Sequence, residues 1–111
     1  MDRTEFDKIV ENTLTIARES LIIKGKEYDR EGNPFHNFDK GAKRKDKLRE
    51  RVIEDYSLKH EVSIDDMICD IEKGELPSYE IVEEKFKDAI NYLILKKASI
   101  VERINNKPKP F

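Results

Sequence analysis

Residues 24–38 read Lys24-Gly25-Lys26-Glu27-Tyr28-Asp29-Arg30-Glu31-Gly32-Asn33-Pro34-Phe35-His36-Asn37-Phe38, and how they are read decides the fold. They lie between two strongly helical segments and open a connection that runs from about Tyr28 to Asp46. Helix–helix connections in compact domains span roughly 2–8 residues, so one this long is either disordered or functional. Disorder fits poorly, because Tyr28, Phe35 and Phe38 gain by burial. The expectation is an ordered loop that closes over the helices and presents polar groups to a ligand. A loop pinned by its aromatics with no ligand is the alternative.

On either side, apolar residues recur at helical spacing. A first helix is predicted from about Thr4 to Glu27, with Phe6, Val10, Leu14, Ala17 and Leu21 as one stripe. Ile9, Ile16 and Ile23 make a second stripe, which suggests a wider contact or a subunit interface. A second helix is predicted from about Asp46 towards Lys73, with a kink near Ser57 to Ser63. Its core face is Leu48, Val52, Tyr56, His60, Ile64, Met67 and Ile71. A third begins near Ser78, after Pro77, and reaches about Asn105, with Val82, Phe86, Ala89, Ile90, Leu93, Ile100 and Ile104 inward. Pro108 and Pro110 cannot continue it, so 1–106 is read as one helical domain and 107–111 as a flexible tail. The fold class is all-α: three main helices and one long ordered loop.

Charged residues make up 41% of the 111-residue chain, against a typical ~25%, and apolar residues 37%. The core is therefore thin, which favours a homo-oligomer whose helices finish burying their apolar faces in a second copy. Net charge is −2 with the signs interspersed, so nothing points to a membrane or, beyond the short run Lys43-Arg44-Lys45, to nucleic acid. A single cysteine, Cys69, excludes an internal disulfide framework and suits a reducing cytoplasmic compartment.

The chemistry-bearing residues fall into two groups. Asp66 with Asp70, and Glu84 with Asp88, are each four apart and share a helix face. Counted outward from the Gly74–Pro77 turn, the two pairs stand opposite each other and supply the oxygen ligands that magnesium prefers. Against this, acid pairs at this spacing are common in a chain with 24 acids, and solvated ones contribute less than ~1 kcal/mol. Lys59 projects beside Asp66, whereas His60 falls with the apolar face and reads as a core histidine. Asp88 and Asn91 sit where apolar residues cover more than one helix face, so they need partners, either structural or in a ligand.

The order of three motifs resembles a family of small phage proteins, the first of the nucleotide-modification-associated domains. The motifs are Lys24-Gly25-Lys26-Glu27-Tyr28 followed by Asn37-Phe38; Leu58-Lys59-His60 with Ser63-Ile64-Asp65-Asp66; and Glu83-Glu84-Lys85, Asp88 and Ile90-Asn91-Tyr92-Leu93. The resemblance covers about residues 8–101. It implies a phage origin, a compact helical fold, residence in the infected bacterial cell and a connection with nucleotides. A weaker similarity is to the MazG-like all-α nucleoside triphosphate pyrophosphohydrolases. Those hold magnesium on Glu-x-x-Glu and Glu-x-x-Asp pairs, and this chain departs from that spacing.

Three functions follow as expectations. The first is a binder of a small nucleotide-type ligand, with no cofactor and no catalytic residue. Lys24, Lys26 and Lys40 would meet phosphate. Tyr28, Phe35 or Phe38 would stack on a base, Asn33, Asn37 and Asn91 would read base or ribose edges, and His36, Lys59, His60 and Tyr92 are further candidate binding residues. Such a binder would sequester a bacterial immune nucleotide signal or manage a nucleotide pool. The second is a magnesium-dependent hydrolase on Asp66, Asp70, Glu84 and Asp88, with Lys59 steadying the phosphate. The third is a protein–protein inhibitor module.

Overall fold

The computed structural model describes residues 1–107, the side chains of Glu27 and Tyr28 apart. Among the described residues the chain is all-α with no strand beyond an isolated bridge between Arg30 and Asn33. It has four α-helices: α1, Arg3–Arg18; α2, His36–Lys45; α3, Arg49–Glu72; and α4, Tyr79–Asn105. A π-helical turn, Glu19–Lys24, and a 3-10 turn, Gly25–Tyr28, extend α1. No described helix is long and apolar enough to cross a membrane.

The frame is the antiparallel pair α3 and α4. Gly74, at φ 87°, ends the α3 side of their turn, and Ser78 caps α4 by accepting from the Ile81 N–H at 3.3 Å. Their register is legible in two contacts: His60 stands opposite Asp88, and Arg49, eleven residues earlier, opposite Ser99, eleven residues later. α3 is one unbroken helix through Ser57 to Ser63, with buried Ser57 donating to the Glu54 carbonyl. α1 runs parallel to the first half of α4, tied by Asn12 to Glu83 and, eight residues on in both helices, by Ser20 to Asn91.

The predicted long loop is largely a fourth helix. Glu31 (φ 55°) and Gly32 (φ 75°) turn the chain. Asn33 then starts α2, its Oδ1 accepting from the Phe35 N–H at 2.9 Å and its Nδ2 donating to Asp39 at 3.0 Å. Lys43, Arg44 and Lys45 complement the C-terminal end of the dipole, and Asp46 closes the helix in the left-handed region. α2 packs on α3 where Gly41 meets Val52; a Cβ on Gly41 would stand 2.9 Å from Val52 Cγ1.

Phe35 is buried, with the Arg49 guanidinium 4.0 Å above its ring. That guanidinium also donates to Ser99 at 2.8 Å, Asp39 at 3.2 Å and Glu102 at 2.9 Å. Ser99, fully buried, donates to Glu50, which Arg103 also holds. The Arg103 hydrogen bonds outweigh burial and bring the Glu50 carboxyl down to about 2.

The rest of the core is small. Among the described residues only Ala17, Phe35, Val52, Ile53 and Met67 are buried apolar side chains. The predicted core faces of the two long helices are therefore only partly buried. Leu48 at the N-cap of α3, Tyr56 and Ile71 on α3, and Phe86, Leu93, Ile100 and Ile104 on α4, are exposed. Two helices with two partial neighbours cannot cover apolar stripes this wide.

Candidate functional site

Between the extension of α1, the start of α2 and the middle of α4 lies a cavity of about 350 Å³. α4 supplies Asp88, Asn91, Tyr92 and Leu95; the loop and α2 supply Asp29, Pro34, Asn37 and Phe38; the π turn and its end supply Ser20, Leu21 and Gly25. Small-molecule sites range over roughly 300–1,000 Å³, so the volume admits a compact ligand or the base-bearing part of a larger one.

The walls are aromatic and the polar groups convergent. Phe38 meets Tyr92 edge-on at 6.4 Å and Tyr56 edge-on at 5.5 Å. His60 stacks behind Tyr92, centroids 5.2 Å apart, with its Nδ1 3.6 Å from Asp88 Oδ2. Burial, then the charge of Asp88, then Tyr56 push the Tyr92 phenol above its ordinary range, so it stays a neutral donor. Asn91 Nδ2 donates to Ser20 Oγ at 2.7 Å, while Asn91 Oδ1 is buried with no partner. Turning the amide over exchanges the two ends and still leaves one unpaired. A buried acceptor without a partner costs about 1–3 kcal/mol, and groups of this kind recur where a ligand completes the pairing.

The π turn is part of the construction. Widening the helix at Glu19–Lys24 carries Ser20, Leu21 and Gly25 to the cavity, and π-helical bulges are frequent at functional sites. The predicted continuation of an ordinary α-helix to Glu27 is corrected accordingly.

Of the residues nominated from sequence, Asn37, Phe38, Asn91, Tyr92 and Asp88 line this cavity. His60 supports it from behind. Lys24 and Lys26 are exposed and flank Gly25. Asn33, His36 and Lys40 line a second, polar hollow of about 780 Å³ together with Asp29, Arg30 and Glu31. Asn33 is engaged in starting α2, and buried Phe35 offers no face to a ligand because Arg49 covers it. Lys59 is exposed on α3 and lines neither hollow. The Tyr28 side chain lies outside the described residues. Ser20, Leu21, Gly25, Asp29, Pro34 and Leu95 were not nominated; Ser20, a lone hydroxyl before Leu21-Ile22-Ile23, was the available signal.

The carboxylates do not fit a magnesium centre. With His60 opposite Asp88, the register puts Asp66 level with Val82 and Asp70 level with Ser78, about a turn from the predicted facing. Asp66, Asp70 and Glu84 are exposed, and no three metal-ligating side chains gather among the described residues.

No protein-family model, no curated protein and no solved structure matches this chain.

Proposed function

We propose that this protein binds a small nucleotide-type ligand in the cavity between the π turn, α2 and α4. The observation that carries the reading is Asn91: it lines a cavity walled by Phe38 and Tyr92, and its amide Oδ1 is buried with no partner. The lining contains two carboxylates, Asp29 and Asp88, and no basic side chain. The base therefore enters, its amino or ring N–H groups facing Asp88 and Asn91 and its plane against the aromatic wall, a contact worth ~1–3 kcal/mol in nucleic-acid systems. Phosphate stays at the rim, where Lys24 and Lys26 flank Gly25. In a phage-infected cell such a protein would hold a nucleotide signal or part of the nucleotide pool.

The test is a mass balance. Purified protein is incubated with mono-, di-, tri- and cyclic nucleotides plus magnesium, then separated, and both fractions are weighed by mass spectrometry. An intact nucleotide retained and released on denaturation is expected. Conversion to a monophosphate would replace binding with turnover, and an unchanged pool in both fractions would overturn the reading.

A further inference from the structure

The surface of this chain is far larger than its mass requires. Its accessible area is 9071 Å², whereas a folded monomer of 13.1 kDa exposes about 6,400 Å². Its radius of gyration is 17.1 Å, against about 13 Å for a compact chain of this length. The excess, about 2,700 Å², is more than three times the ~800 Å² that each partner buries in a standard interface. Much of the exposed surface is apolar: twenty-two large hydrophobic side chains among the described residues are more than a third exposed.

The most regular part of that surface is on α4. Tyr79, Phe86, Leu93 and Ile100 recur at intervals of seven, 64%, 43%, 59% and 48% exposed. A seven-residue apolar repeat is the pattern by which one helix packs along another. At ~100° per residue this stripe lies on the side of α4 away from Asp88, Asn91, Tyr92 and Leu95, so covering it leaves the cavity open.

We propose that the α4 stripe is covered by the α4 stripe of a second copy of this chain, antiparallel about a two-fold axis passing between Ala89 and Ile90. The pattern is self-complementary in that register. Phe86 stands opposite Leu93 of the second copy, and Tyr79 opposite Ile100 of the second copy. Glu83 comes level with Lys96 and Lys97 of the second copy, so opposite charges flank the apolar seam on both sides of the axis. Closed two-fold pairing uses one patch twice and leaves no open end for fibres. This pairing does not depend on the ligand reading.

Sedimentation equilibrium over a concentration series reads the mass directly. The wild-type chain is expected as a dimer, or an even multiple of one, and Leu93→Glu as a monomer. Because Leu93→Glu also removes burial that the assembly supplies, a second pair of variants carries the register, with Glu83→Lys alone as the control for the hydrogen bond that Glu83 accepts from Asn12 of α1. Lys97→Glu is expected to weaken association at least tenfold, and Glu83→Lys added to it to restore most of that loss. A wild-type monomer at every concentration overturns the proposal, as does a dimer that Leu93→Glu leaves intact. Failure of the charge reversal to recover association overturns the antiparallel register.

Discussion

The Asn91 amide donates to the Ser20 hydroxyl across 2.7 Å, bridging 71 residues of sequence and joining α4 to the π turn of the α1 extension. The other end of the same amide is buried and unpaired. Replacing Asn91 with leucine keeps the branched outline and removes the orphan acceptor together with the donor to Ser20. Asn91→Leu is expected to melt within about 1 kcal/mol of wild type, the relief of the orphan acceptor offsetting the lost hydrogen bond to Ser20, while losing nucleotide retention. Thermal melts and the mass balance check both halves. A large drop in melting temperature with the ligand still held would make Asn91 a structural residue.

Lys26 is exposed beside cavity-lining Gly25. Lys26→Ala is expected to change stability by less than about 0.5 kcal/mol, as exposed substitutions usually do. It should weaken retention of phosphorylated ligands and spare nucleosides. Titration calorimetry with a matched nucleoside and nucleotide separates the two, and equal weakening of both would remove the phosphate role.

Gly41 marks the closest approach of α2 to α3. In a helix interior alanine is favoured over glycine by about 1 kcal/mol. Here the added Cβ would sit 2.9 Å from a methyl of Val52, which is fully buried and has nowhere to turn. Overpacking costs about 1–3 kcal/mol, so Gly41→Ala is expected to lower the midpoint of urea denaturation. A raised midpoint would show that α2 can lift away without cost.

Glu50 confers a pH dependence of known sign. Its folded carboxyl lies at about 2, below the ordinary 4.5, because Arg103 bonds its charged form. The unfolded chain therefore binds this proton first, and the stabilisation is present above about 4.5 and lost as pH falls towards 2. Acid melts of Glu50→Gln should decline less steeply across that window than those of wild type. Parallel curves would take Glu50 out of the acid response.

Local pattern was enough to establish the helical class, the extent of α4 and five of the residues that meet in the cavity. Apolar spacing from Val82 to Ile104 is a property of the chain alone, as are the caps at Ser78 and Gly74. Asn37, Phe38, Asn91 and Tyr92 stood out because aromatic rings and amides in such settings need partners. Tertiary structure decided the rest. α2 is ten residues with a glycine and a basic end, too polar to announce itself; it holds because Asn33 starts it and Val52 receives Gly41. The π turn depends on α4 offering Asn91 to Ser20. The spacing within each acid pair was visible, but the register between α3 and α4 was not. A shift of one turn separates Asp66 and Asp70 from their expected partners and delivers Asp88 to His60 instead. Periodicity specifies which face of a helix is apolar; how far one helix slides along another is set by side chains distant in sequence, here the hold of Arg49 and Glu50 on Ser99.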